Sequence, residues 1–413
     1  MGAVEKLLEH IAVTRFEDLP SDVVETAKRF ILDSIGVTIA GAGAPGCEEI
    51  VQLVREWGGK PESTIMSHGG KVPAPWAAMA NSTMMHALDF DDTLDESALH
   101  AHVSVLPAAM ACAEAAGPVS GRSFINAVVL GVDTLCRLGI STRRPLSWIR
   151  TSTCGSFGAA VAAAKTLELN EKKLLHALGV VYSQTSGNAQ CLIDGALVKR
   201  MQPAFAAKAG VVSAFMSARG ITGSRDFLEG QYGFFNLYEG GDYDGRRLLD
   251  RLGDRYEGMS LSMKPYPSCR MTHGSIDAAL ALKREYAIDA GSVEGIVVHV
   301  SEMSHNMVGM PFEIRTDAQV DAQFSIPYTV SVAMLHGDVS LEDFRDSAIR
   351  DKSVKEFSKR ITVLADPSLP VRDMSRATVE VRCGSDFYRK TIDGLKGSPA
   401  NPMSLDECIR KSI

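Results

Sequence analysis

The stretch His86–His102, HALDFDDTLDESALHAH, gathers five acids, three histidines and a threonine. Side chains of these types move protons, hold metal ions or cap helices, so chemistry is sought here first. If its first part is helical, His86, Asp89 and Thr93 share one face at i, i+3 and i+7. An arbitrary acidic run is usually a solvated loop. Here the flanking text is rich in Ala, Met and Leu, which hems the acids in with core-forming residues.

Two metal patterns fall inside the stretch. Asp91-Asp92-Thr93-Leu94-Asp95 fits DDxxD, which holds magnesium against a diphosphate in terpene-type enzymes, but no second metal motif accompanies it. His100-x-His102 would put two imidazoles on one side of an extended strand, a pattern common by chance. No metal is therefore expected. The basic half of a site is supplied farther on. Lys199-Arg200 precede Met201-Gln202-Pro203, and Lys264 lies in MKPYPSCRMTH with Arg270 and His273 close behind. Lys264 is embedded between Met263 and Pro265-Tyr266-Pro267 at a change of texture, and clefts between domains are favoured substrate sites. Ammonium groups there suit carboxylates and the extra charge of an enolate-like transition state.

Up to about residue 262 the elements that must position these groups are helical. Ser21–Ile39 follows Pro20 with a Ser-Asp cap signal and apolar residues at 3–4 spacing. Ala108–Gly117 and Gly158–Leu167 are dense in small residues, which lets helices approach closely. After Lys264 the texture changes. Val293–Val300, Ala377–Cys383 and Phe387–Ile392 read as strands, the last two as a hairpin across Gly-Ser-Asp. Helical stretches lie between them at Gly274–Tyr286 and Gln323–His336, and Asn401–Ile413 starts a further helix capped at Ser404. The expected fold is mostly α: a large all-helical domain, residues 1–262 completed by 397–413, and a smaller α+β domain, residues 263–396.

Composition bounds the rest. The 413 residues carry 43 basic and 50 acidic side chains, a formal charge of −7, and 45% hydrophobic residues. That balance leaves no electrostatic footprint for nucleic acid or an anionic membrane. The eight cysteines form no CxxC pair, so zinc ribbons and iron–sulfur clusters are not signalled, and free thiols in a reducing compartment are expected. The N-terminus has neither the order of a signal peptide nor a myristoylation motif, and no uncharged run of about 18 apolar residues occurs. A cytoplasmic protein is expected.

Nine segments taken in order resemble the MmgE/PrpD family, which includes 2-methylcitrate dehydratases, cis-aconitate decarboxylases and iminodisuccinate epimerase. They are LPSDVVETAKRFILDSIGVTIAGAG, HALDFDDT, HAHVSVLPAAMACAEAAG, TCGSFGAAVAAAKTLEL, VKRMQPAFAAKAGVVSAF, GITGSRDFLEGQYGFF, KPYPSCRMTHGSIDAAL, QFSIPYTVSVAML and NPMSLDE. The resemblance implies a helical domain joined to an α+β domain, commonly in a homodimer, with a site between the domains that uses no cofactor. It makes Asp89, Thr93, His100, Lys199, Lys264 and Tyr328 the catalytic residues, with His273 at a shared motif position. Lys199, Lys264, Arg270, His273 and Gln202 would contact substrate. Lysines would clamp carboxylates. His100 or Asp89 would take the proton α to a carboxylate, and Tyr328 or Thr93 would assist a departing hydroxyl.

Two positions depart from the pattern. Ile149, in Trp148-Ile149-Arg150-Thr151, stands where many relatives have a histidine that decarboxylases carry in the site. Gln202 replaces another motif histidine. The chain also ends soon after NPMSLDE, where relatives continue for another helical stretch. The expected function is a cofactor-independent lyase on a small anionic polycarboxylate, most like 2-methylcitrate or citrate dehydration. The alternatives are an epimerase of an iminodisuccinate-like acid, a cis-aconitate-type decarboxylase, or a ligand-binding relative that has lost the chemistry.

Overall fold

The computed structural model describes residues 2–144 and 148–412. A large helical domain precedes a smaller α+β domain. The centre of the helical domain is a set of crossing helices, Ala74–His86, His102–Ala116, Gly121–Ser141, Arg150–Thr166 and Gln202–Ala218. Small residues set their spacing. A Cβ on Gly131 would lie 2.7 Å from the carbonyl oxygen of Gly158, and a Cβ on Gly158 equally close to that of Gly131. The helices Gly121–Ser141 and Arg150–Thr166 therefore cross at backbone contact, which only glycine at both positions permits.

Gly121–Ser141 is long and apolar enough to span a membrane, but 83% of its most apolar window is buried in the protein. Asp133 and Arg137 sit on it as a fully buried pair, 2.7 Å apart, and Arg137 also donates to the carbonyl oxygens of Leu248 and Asp250. It is a core helix, with its charges paired internally.

The helix His102–Ala116 contains Pro107. Proline removes the N–H that would bond the carbonyl four residues back. That carbonyl belongs to Val103, and the buried Ser82 hydroxyl donates to it at 2.6 Å. At the start of the same helix, the Asp92 carboxylate accepts the N–H groups of Ala101 and His102 at 2.9 and 3.1 Å. Asp92 thus caps a helix that begins ten residues later, satisfying orphan donors as a capping residue does.

The α+β domain holds a four-stranded sheet in the order Ile361–Ala365, Gly295–Val300, Ala377–Cys383, Asp386–Ile392. The first pair is parallel, with Val298 opposite Val363, and the other two are antiparallel. The strand Ile361–Ala365 was absent from the sequence expectation: its inward Ile361 and Val363 alternate with exposed residues over too short a span to stand out. The hairpin turns on Gly384-Ser385, with Cys383 opposite Asp386 and Gly384 at φ +59, so its loop is two residues rather than three. The expected helix Gln323–His336 begins later, as Ile326–His336 capped by Ser325, and Gln323 instead ends a preceding helix, Ala318–Gln323.

The C-terminal helix Leu405–Ser412 returns to the helical domain and packs on Ser21–Gly41. Ser404 and Glu407 form its capping box, each side chain accepting the other's N–H.

Candidate active site

The helix Ala74–His86 stops at His86, so the expected single helical face for His86, Asp89 and Thr93 does not form. Asp89 instead takes a left-handed conformation, φ +51, that Asp tolerates better than most residues. Asp89, Asp91 and Asp92 are buried, so the first part of the acidic run is interior rather than a solvated loop, whereas Asp95 is half-buried and Glu96 exposed.

The inverted backbone aims the Asp89 carboxylate at two lysines. Lys199, from the turn before Gln202–Ala218, ion-pairs with Oδ1. Lys264 Nζ reaches Oδ2 at 3.0 Å and the Asp89 carbonyl oxygen at 2.8 Å. Burial alone would raise the Asp89 carboxyl, but Lys199 and Lys264, helped by His100 and His86, hold it well below the usual carboxylate range. The cluster is therefore two ammoniums on one carboxylate, an excess of one positive charge. The register that brings Lys264 here is set two residues earlier, where Thr93 and Ser262 exchange both backbone hydrogen bonds at 2.9 and 2.7 Å.

Two imidazoles complete the polar wall. His86 Nδ1 donates to Asp91 Oδ2 at 2.8 Å. His100 Nδ1 donates to the Asp92 carbonyl oxygen at 2.6 Å and lies 3.3 Å from Asp91. A carbonyl only accepts, so Nδ1 of His100 carries the proton and Nε2 is left as a lone-pair acceptor. Burial lowers the His100 imidazole to about 4, against the pull of Asp91, and lowers His86 as well. His100 is thus a neutral base at neutral pH.

These groups line one cavity that is open to solvent. Asp89, Thr93, His100, Lys199, Lys264 and Arg270 all border it, joined by His86, which sequence reasoning left out of the site. Arg270 is held by Asp95, with Nε–Oδ1 at 3.2 Å, and by the Lys396 carbonyl at 2.9 Å. His273 stands one layer behind, its Nδ1 3.3 Å from an Arg270 nitrogen and its Nε2 donating to the Ser268 carbonyl. It touches Arg270 rather than the cavity.

Besides His273, two more expected site residues lie off the cavity. Tyr328 is completely buried in the α+β core between Phe312 and Phe344, and its hydroxyl donates to the carbonyl of Asp343. The serine cap at Ser325 orients the helix so that this face turns inward. Gln202 is also withdrawn. Its amide accepts from Asn188 N–H at 2.8 Å and donates to the Asn188 carbonyl and to Cys191 Sγ, both at 2.9 Å. It fixes the segment that carries Leu192 to the cavity edge instead of facing a ligand.

His86, Asp89 and His100 offer ligand atoms within 4.8 Å of one another, a spacing a cation could use. Both Asp89 oxygens already carry ammonium groups, so a divalent ion would be placed against two positive charges. The donor set suits an anion better.

Sequence comparison decides the lineage. The MmgE/PrpD N-terminal domain matches residues 5–245 and the MmgE/PrpD C-terminal domain residues 266–412. The chain belongs to the MmgE/PrpD family. It is 28% identical over 367 residues to the cis-aconitate decarboxylase of Aspergillus terreus strain NIH 2624, covering 84% of this chain and 75% of that protein. To the mouse (Mus musculus) cis-aconitate decarboxylase it is 26% identical over 410 residues, covering 95% and 82%. To the 2-methylcitrate dehydratase of Cupriavidus necator it is 20% identical over 381 residues, covering 86% and 76%. Within this MmgE/PrpD chain the acidic motif, the two lysines and His100 meet in one cavity, while Ile149 contributes an apolar side chain to its wall.

Proposed function

We propose that the protein is a cofactor-independent lyase acting on a small acid with two or more carboxylates, by removal of a proton α to a carboxylate. The observation that carries this is the neutral His100, with Nε2 free, beside the Lys199–Asp89–Lys264 cluster. An ammonium has three donors. Lys264 spends two on Asp89 and Lys199 one, which leaves one and two N–H groups for substrate oxygens. These donors hold the carboxylate and stabilise the second negative charge it gains as the adjacent carbon is deprotonated. His100 Nε2 takes that proton. In a dehydration the C–O bond then breaks, the Thr93 hydroxyl orients the departing oxygen, and the proton held by His100 completes the water.

Decarboxylation is the second reading, favoured by the names of the relatives with higher identity. In that reaction a carboxylate leaves as carbon dioxide and the same lysines carry the charge left behind. Ile149 weighs against it, because the resemblance puts a histidine there in decarboxylases.

The test is proton NMR in deuterated water with 2-methylcitrate, citrate, cis-aconitate and iminodisuccinate. Loss of water from a hydroxy acid is expected. Carbon dioxide release from cis-aconitate would favour the second reading, and deuterium exchange without a new product would identify an epimerase. No exchange or turnover with any of them would leave a ligand-binding relative.

A further inference from the structure

The cavity lining is of two kinds: cations and imidazoles, and the apolar side chains of Ile149, Leu192, Met307, Phe324 and Met374, with Lys199 Nζ 5.0 Å from the centre of the Phe324 ring. The apolar residues come from segments far apart in sequence, and Ile149, Leu192, Met307 and Phe324 are only partly buried, as residues facing an opening are. Leu192, Met307 and Phe324 also wall a second, larger hollow open to solvent, where Ile193, Met310 and Phe312 add apolar surface and Asn306, Glu313, Arg315 and Asp321 add polar groups. Ile193 is 66% and Met310 53% exposed.

Beyond Lys199 and Lys264 a third carboxylate would meet no uncommitted cation, since Arg315 in the second hollow is bound to Asp321 and to the Ile193 carbonyl. Arg270 is bound to Asp95 and to a carbonyl, and Thr151, whose hydroxyl accepts the His100 N–H, is the polar group at the margin. An ionised carboxylate against methionine, leucine and phenylalanine would lose hydration without compensation, whereas methylenes there leave water favourably.

Resting on the reading above, we infer that the substrate is an acid with its carboxylates at one end and an apolar arm of several carbons at the other. The carboxylates lie on Lys199 and Lys264. The arm runs along Ile149 and Met307 toward the second hollow, and these residues set specificity for its length.

Isothermal titration of the whole protein with succinate, methylsuccinate, butylsuccinate, octylsuccinate and tricarballylate tests this. Affinity should rise roughly fourfold per added methylene as far as butyl, a figure set by methylene transfer, and butylsuccinate should bind tighter than tricarballylate. Ile149→Asn should flatten the dependence on chain length, with Met307→Ser as a second variant if the first melts abnormally. Affinity that is independent of chain length, or tightest for tricarballylate, overturns the apolar arm while leaving the anion site standing. If no acid binds, or if Lys264→Ala binds all of them as the parent does, the anion site fails and the arm with it.

Discussion

Lys264 grips Asp89 twice, at its main-chain carbonyl (2.8 Å) and at its carboxylate (3.0 Å). The lysine comes from the junction before the α+β domain and the aspartate from a left-handed turn in the helical domain. One buried contact therefore fixes both the backbone that presents the acid and the charge that neutralises it.

Removing the shared acid should expose that dependence. Asp89→Asn leaves two buried ammoniums without a counterion, and loss of one partner from a buried ion pair costs about 3–5 kcal/mol. Thermal melting should show a large loss of stability, and succinate should raise the variant's Tm more than the parent's because it supplies the missing negative charge. An unchanged Tm would mean that the lysines are not held by Asp89.

Lys264→Ala should reduce proton exchange or turnover by about 10²–10³-fold, the usual consequence of losing one donor to a developing oxyanion. Lys264→Arg should not restore it, since a planar guanidinium cannot reproduce a point contact with both the carbonyl and the carboxylate. Exchange rates of both variants against the parent decide this.

The pH profile follows from the depressed imidazoles. His100 and His10 are both lowered to about 4 by burial, against an ordinary value of 6.5. Between those values the unfolded chain binds more of these two protons than the folded one, so the two imidazoles contribute stability that rises with pH from about 4 to 6.5 and is constant above. Urea titrations across that range measure the slope, and His10→Asn should remove part of it. Proton exchange should persist at pH 5, where an ordinary imidazole is mostly protonated.

Tyr328→Phe should lower stability by about 1 kcal/mol, the worth of a single buried hydrogen bond, and leave exchange rates at the parent level. A loss of exchange greater than tenfold would return this tyrosine to the reaction.

Lys411 in the C-terminal helix is paired with the buried Asp33 at 2.7 Å and donates to the Phe90 carbonyl at 2.8 Å, next to Asp89. Lys411→Met should destabilise by about 3 kcal/mol because the buried Asp33 carboxyl, already pushed up by burial, loses its partner, and adding Asp33→Asn should recover part of that. Additive losses in the double variant would show that the pair is not coupled.

Much of this was legible in the residues themselves. The run of acids and histidines in HALDFDDTLDESALHAH, the position of Lys264 at the change of texture, and the small-residue helices all follow from local composition and periodicity. The chemical classes of the site, with Asp89, Thr93, His100, Lys199 and Lys264 as its members, came from motif order. Arg270 came from its place beside Lys264. His86 was visible in the same motif, but only the shared Asp91 shows that it and His100 form one wall.

Tertiary structure decided the rest. Asp89 reaches its lysines because of a positive φ that no periodicity signals, Asp92 caps a helix ten residues on, and Tyr328 turns into a core whose inward face the motif does not specify. Apart from Ile149, which motif order put at a site position, the apolar wall had no signal, since Leu192, Met307, Phe324 and Met374 each alone read as ordinary core residues. Sequence fixes residue chemistry and local conformation. Which distant side chains share a cavity depends on how the helices and sheet pack, a sum of non-local contacts that no short window of residues contains.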